Sequence, residues 1–167
     1  WSTTHPEEFW VELVKFTGVE FSTPWKHILI NSDRMPGAKW FEGARLNFAR
    51  HLLRHQSDKT ALIFQNEKSE RTTLTYAELN QHVRRLAYQL KKRGVKIGDR
   101  VAGYLPNRPE TIIAMLATTS LGAIWSSCSP DFGYHGVYDR FQQITPKILF
   151  ACDGQLYNGK QHSTLSN

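Results

Sequence analysis

Cysteine is nearly missing from this sequence: Cys128 and Cys152 are the only two among 167 residues. Each stands in or beside an apolar segment, and neither belongs to a CxxC or Cys/His spacing. A disulfide framework, a zinc ligand set and a dithiol redox motif are therefore unsupported, and two small buried thiols are expected. Long apolar runs are missing as well. No stretch approaches the roughly eighteen apolar residues of a membrane span. The opening WSTTHPEEFW has neither the basic nor the apolar region of a signal peptide, which predicts a cytoplasmic protein. GxSxG, HExxH and paired catalytic carboxylates do not occur, and the Ser126-Ser127-Cys128-Ser129 cluster has no base placed in sequence to activate it. The chain thus offers no catalytic residue and no metal ligand of its own, and it contains no internal repeat or low-complexity tract.

Apolar residues make up 40% of the chain, with five Trp and nine Phe, which is enough to bury a core. The net charge of +6 raises the question of nucleic acid. The excess is dispersed, however, apart from Lys91-Lys92-Arg93 with Lys96 and Arg100, where a helix is predicted to end. Cations at a helix C-terminus complement its exposed carbonyls, so a structural role stands ahead of nucleic-acid binding. A basic nucleic-acid module and a non-catalytic interaction domain stay open as alternatives.

Val101 to Gly133 reads as an apolar strand (Val101 to Leu105), a turn at Pro106-Asn107, a helix carrying Ile112, Ile113, Leu116 and Leu121, a stop at Gly122 and a second apolar strand. Strands joined through a helix of this length run parallel, and a parallel pair needs cover on both faces. The fold class expected is α/β, a partial layered sandwich with parallel strands and covering helices. Ligands of such sheets bind beyond the carboxyl ends of the strands, here Leu105-Pro106-Asn107 and Ser126 to Pro130.

Elsewhere, Thr4 and Glu7 have capping-box spacing before a helix over residues 5–17, and Gly18 ends it. A second helix is predicted after Phe48 with Leu52 and Leu53 inward, and His51 and His55, four apart on it, are read as solvated rather than as a metal pair. Thr60 to Phe64 and Arg71 to Leu74 predict a β-hairpin. Thr75 and Glu78 form the clearest capping box, followed by the stripe Leu79, Val83, Leu86, Ala87, Leu90 and a stop at Gly94. Val137, Phe141 and Ile144 predict a short helix ended by Pro146, and Lys147 to Cys152 a third parallel strand. A boundary near Ser57 and Asp58 separates a mainly helical leader, residues 1–57, from an α/β region, residues 58–167. The chain starts at Trp1 and stops soon after a strand, so a piece of a longer protein is expected.

Gly154 to Gln161 follows that strand and falls one residue short of GxxxxGK[ST]. Gln161 has no hydroxyl for Mg²⁺ and no helix is predicted after it, so a Walker loop is disfavoured, while Lys160 as a point charge near a phosphate stays open.

Several of these segments together resemble the adenylate-forming acyl-CoA synthetases. They are Leu74-Thr75-Tyr76-Ala77-Glu78-Leu79, Gly94 to Val101, Leu105-Pro106-Asn107 with Pro109-Glu110, Ala114 to Ala117, and Leu121-Gly122-Ala123. Phe9-Trp10 and Trp40 to Gly43 followed by Leu46-Asn47-Phe48 are similar to the N-terminal extension of the acetyl-CoA and acetoacetyl-CoA synthetase branch. Within it, Ile124 to Gly133, Asp139-Arg140-Phe141 and Tyr157 to Lys160 are similar to the acetoacetyl members. The resemblance implies an N-terminal extension over residues 1–57 and the first part of an AMP-binding domain over residues 58–167. It implies a parent enzyme that uses ATP, Mg²⁺ and CoA to make acetoacetyl-CoA, AMP and pyrophosphate through an acyl-adenylate. The phosphate loop and the catalytic lysine of that family would lie outside this chain, which implies that the fragment is inactive and binds no cofactor tightly. An acetyl-CoA or other short-chain acyl-CoA synthetase is the alternative. The acetyl enzymes carry Arg-x-Gly-Arg against the adenosine end of CoA, where this chain has Tyr157-Asn158-Gly159-Lys160. The resemblance therefore implies Asn158, Gly159 and Lys160 as a CoA contact with a single cation.

Overall fold

The computed structural model describes residues 1–164. The chain divides into two compact units, the first Trp1–His51 and the second beginning at Leu52.

In the first unit, helix α1 (Pro6–Thr17) starts with Pro at its first turn and ends at Gly18, which takes the left-handed conformation at φ 62° that a helix stop favours. The capping box expected from Thr4 and Glu7 does not form. His5 is the N-cap residue without a side-chain bond to the helix, and Thr4 Oγ1 instead donates to the Trp1 carbonyl at 3.4 Å. The leader also contains an antiparallel pair, β1 (His27–Ile30) and β2 (Lys39–Glu42), in a segment whose sequence shows only a short apolar patch. Aromatic rings hold it together in place of an aliphatic core: Trp10 meets Trp40 with ring centroids 5.6 Å apart, and Phe41 meets Trp25 at 5.2 Å. Helix α2 (Phe48–Leu52) is a single five-residue turn. Leu52 is exposed, contrary to the inward position expected of it, and His55 lies past the helix end, so His51 and His55 share no helical face.

The second unit begins with the predicted hairpin, β3 (Thr60–Gln65) and β4 (Arg71–Thr75), paired antiparallel. Helix α3 (Tyr76–Lys92) has the full capping box: Thr75 Oγ1 accepts from the Glu78 amide at 3.1 Å and Glu78 Oε2 accepts from the Thr75 amide at 2.8 Å. Leu79, Val83 and Leu90 are buried on its inward stripe, and Leu86 is half-buried. Asn80, buried beside them, donates to the carbonyls of Tyr76 and His55.

The remaining elements alternate strand and helix as the apolar pattern predicts: β5 (Arg100–Tyr104), α4 (Pro109–Ser120), β6 (Ile124–Cys128), α5 (Tyr134–Ile144) and β7 (Ile148–Ala151). The three strands form one parallel sheet in the order β6-β5-β7. Alternation along β5 sends Ala102 and Tyr104 to one face, where Cys128 and Phe141 close a small core with Val137 and Ile144 of α5. On the other face Trp125 and Phe150 flank β5, with ring centroids 6.2 Å apart, and a Cβ at Gly103 would stand 2.6 Å from the Trp125 ring. Gly103 is therefore the space that lets an indole lie across the central strand. Helices α3 and α4 pack together and α4 packs on β5 and β6, so the α/β layering expected for a parallel sheet is present.

Three cations of the basic knot are tied to the frame. Arg93 Nη1 donates to the Gln89 carbonyl, and Lys92 lies over the Tyr88 ring at 5.1 Å. Arg100 Nε donates to the Ile144 carbonyl at 2.8 Å and its Nη2 donates to Thr145 Oγ1, serving the C-terminal end of α5. Cys128 is buried as expected, while Cys152 is only half-buried.

After β7 the chain forms an antiparallel hairpin, β8 (Gly154–Tyr157) and β9 (Lys160–Ser163), turning at Asn158-Gly159. Gln161 therefore lies in a strand, and the helix a Walker loop would open is replaced by β9.

Candidate functional site

The carboxyl end of the parallel sheet is concave. A cavity of about 840 Å³ opens beside β5 and β7, walled by Leu86 of α3, Ala114 of α4, Leu105, Pro106 and Phe150. Its neighbour, about 660 Å³, lies between the β3–β4 loop and the β8–β9 hairpin and shares Arg108, Asp153 and Gly154 with it. A third, about 390 Å³, is bounded by Pro130 to Gly133, Tyr157 and His162. The two strand ends singled out in the sequence thus serve different cavities: Leu105-Pro106 the first, Pro130 the third.

The loop after β6 is held from below. The buried Tyr104 hydroxyl lies 3.0 Å from the Pro130 carbonyl and 3.1 Å from that of Phe132, and donates to that pair. Arg140 covers the Phe132 ring at 4.4 Å. Asp131, exposed on the same loop, accepts from Ser129 Oγ at 2.6 Å and from Gln155 Nε2 at 2.7 Å. These two bonds, the Ser129 bond foremost, hold its carboxyl below the usual aspartate range. Through Gln155 the loop is tied to β8.

The β8–β9 hairpin carries Asn158, Gly159 and Lys160, the three residues for which the resemblance implies a CoA contact. Asn158 and Gly159 have φ of 50° and 70°, the left-handed pair of a tight hairpin turn, which an Asn-Gly dipeptide adopts at little cost. Both of their amides are engaged. Glu67, on the β3–β4 loop, accepts from the Asn158 amide through Oε1 and from the Gly159 amide through Oε2, each at 2.8 Å. The Gly159 bond first, then the Asn158 bond, lowers the Glu67 carboxyl from its ordinary value. Lys160 follows directly, exposed, and lines none of these three cavities.

Sequence reasoning missed Glu67, Asp131, Gln155 and the Tyr104 hydroxyl. The hairpin itself had a signal, the Asn-Gly dipeptide that suits a two-residue turn, though its polar flanks lack the alternating apolar residues that would strengthen it. Nothing local marks Glu67, which lies 91 residues from its first partner. Among the described residues no group of three or more His, Cys, Asp and Glu could hold a metal ion, and no helix is long and apolar enough to cross a membrane.

The model of the family described as AMP-binding enzyme matches residues 48–166, and that of the acetyl-coenzyme A synthetase N-terminus matches residues 1–52. The chain is 48% identical to an acetoacetyl-CoA synthetase of Macaca fascicularis over 98% of its own length and 25% of that protein. It is 39% identical to the malonamoyl-CoA synthetase vrtB of Penicillium aethiopicum over 99% of its length and 24% of that protein. Among solved structures, an acetoacetyl-CoA synthetase from Streptomyces lividans superposes with a TM-score of 0.94 at 45% identity, covering 99% of this chain and 26% of that one. The chain spans about a quarter of the length of the curated relatives it matches. With its parallel sheet, its leader and these matches along nearly its whole length, the chain belongs to the AMP-binding enzyme family, in the part where acetoacetyl-CoA synthetases begin.

Proposed function

We propose that these residues are the N-terminal part of an ATP-dependent acetoacetyl-CoA synthetase, with an N-terminal extension over residues 1–57 and the first part of the AMP-binding domain from residue 58. The observation that carries this reading is identity near half, over nearly the whole chain, to proteins of that name. In the reaction, an acetoacetate carboxylate oxygen attacks the α-phosphorus of ATP and pyrophosphate leaves. The CoA sulfur then attacks the acyl carbonyl carbon and AMP leaves with the bonding pair. The parent enzyme acts in the cytoplasm on small molecules, without nucleic acid and without a membrane span. Mg²⁺ arrives with ATP, its phosphates supplying much of the coordination, and the rest of the parent enzyme holds it. The chain alone is inactive.

Its own contribution to chemistry is the hairpin tip, where Asn158, Gly159 and Lys160 meet the phosphate-bearing end of CoA. Lys160 supplies a point charge, while the two amides, already donated to Glu67, keep the turn in shape. In the full-length protein, Lys160→Ala raises the KM for CoA about tenfold, the loss of one charge-assisted contact, and leaves acetoacetate-dependent ATP–pyrophosphate exchange unchanged. Unchanged CoA dependence removes Lys160 from the site. Exchange by residues 1–167 alone overturns the assignment of the chemistry to the rest of the protein. A malonamoyl-CoA synthetase at 39% identity supports a second reading, a related acyl group, and the exchange assay run with acetoacetate, acetate and malonamate decides between them.

A further inference from the structure

We propose that Glu67 is the positioning residue for Lys160: it fixes the turn that presents the lysine, so that a residue remote in sequence sets the affinity of the hairpin for an anionic, phosphate-bearing ligand. The inference rests on the reading of Lys160 as the CoA contact and adds a residue to it.

The geometry is that of a clamp. One carboxylate spans two successive amides, each bond at 2.8 Å, and Lys160 is the next residue along the backbone. Those bonds are charge-assisted and fix the turn in two places, so rotation of the tip breaks both. The clamp is itself braced. Asn66 Oδ1 accepts from the amides of Lys68 and Glu70, Asn66 Nδ2 donates to Glu70 Oε2 at 2.6 Å, and the Ser69 amide donates to the Asn66 carbonyl. Glu67 therefore projects from a loop closed by its neighbour rather than from a loose arm. At the other end of the hairpin, Gln155 is tied to Asp131 at 2.7 Å. Removing Glu67 leaves that base attached and releases only the tip. The Lys160 ammonium has no hydrogen-bond or ion-pair partner among the described residues, so the turn sets the point on the backbone from which its flexible side chain reaches out.

A rival role follows from the same contact: the Glu67 carboxylate fills the amide pair that a ligand phosphate could use, and would then compete with the ligand. The two roles predict opposite signs. In the full-length protein, Glu67→Ala is expected to raise the KM for CoA by about threefold to tenfold, as the loss of a charge-assisted contact implies, with ATP–pyrophosphate exchange unchanged. Glu67→Gln, which keeps one acceptor oxygen, is expected to fall between Glu67→Ala and the parent. A fall in KM in either variant overturns positioning in favour of competition. The effect must also run through the lysine. In a Lys160→Ala background, Glu67→Ala is expected to add little, and full additivity overturns the inference. Amide spectra of residues 1–167 supply a readout independent of CoA. Loss of the carboxylate is expected to shift the Asn158 and Gly159 resonances and speed their exchange, while Gln155 stays in place. Unmoved Asn158 and Gly159 resonances overturn the clamp whatever Lys160 does, whereas a silent Lys160→Ala variant with moved resonances overturns the CoA reading alone.

Discussion

The parallel sheet and the β8–β9 hairpin lie next to each other in sequence and are stabilised in opposite ways. Val101 and Ala102 at the centre of β5 are fully buried, and every neighbour of that strand is apolar or small. All four residues of β9 are exposed, and three of the four in β8 are only half-buried. The polar ties of the hairpin include two carboxylates, Glu67 at its tip and Asp131 at its base, besides the buried Thr164 that bonds back to Cys152 and Asp153. Burial is non-directional and distributed over many contacts, so a frame built on it tolerates exchange of one apolar residue for another of similar volume. A few hydrogen bonds are directional and singly breakable. The difference teaches where a single substitution acts: burial spreads the stability of the sheet over many contacts, whereas each carboxylate bond ties the hairpin at a point that one change releases.

Three experiments test that contrast. The largest effect is expected in the frame. Leu90→Ala, at a site 2% exposed, costs about 2 to 5 kcal/mol of stability, and half-buried Leu86→Ala costs clearly less. Chemical denaturation of residues 1–167 measures both, and equal costs would mean that the inward stripe of α3 is misread. Next, Gly103→Ala costs about 1 to 3 kcal/mol because its Cβ would stand 2.6 Å from the Trp125 ring. Replacing Trp125 by Leu in the same chain returns part of that loss. If the pair is simply additive, the glycine is not there for the indole.

The smallest effect is the one confined to the hairpin. Glu67 and Asp131 both have carboxyls lowered in the folded state, the first by the Gly159 and Asn158 amides, the second by Ser129 and then Gln155. Their stabilisation is present above the ordinary carboxylate range and lost as pH falls through the lowered folded values. On acidification, the Asn158, Gly159 and Gln155 resonances are therefore expected to move while those of Val101 and Ala102 stay. Simultaneous loss of both sets would erase the distinction between frame and hairpin. Both acids are exposed, so global stability should change little.

Much of the frame was legible in the residues themselves. The capping box at Thr75 and Glu78, the apolar runs of β5, β6 and β7, and the Gly94 stop after α3 are local signals, and local signals survive in sequence because neighbours in the chain are neighbours in space. The same spacing at Thr4 and Glu7 misled, since the turn made by residues 1–5 directs the Thr4 hydroxyl to the Trp1 carbonyl. Helix α2 stopped short because the chain turns after Leu52, which no breaker residue announces.

The sequence by itself determined the α/β order of elements, the hairpin of β3 and β4 and membership of a family, because periodicity, caps and motifs are properties of contiguous residues. Only the tertiary structure decided what Glu67, Asp131 and Gly103 are for. Each acts on a residue brought to it by folding, across 91 positions for Glu67 and Asn158, 24 for Asp131 and Gln155, and one sheet register for Gly103 and Trp125. Contacts of that kind follow from chain closure and sheet pairing, which no local pattern encodes.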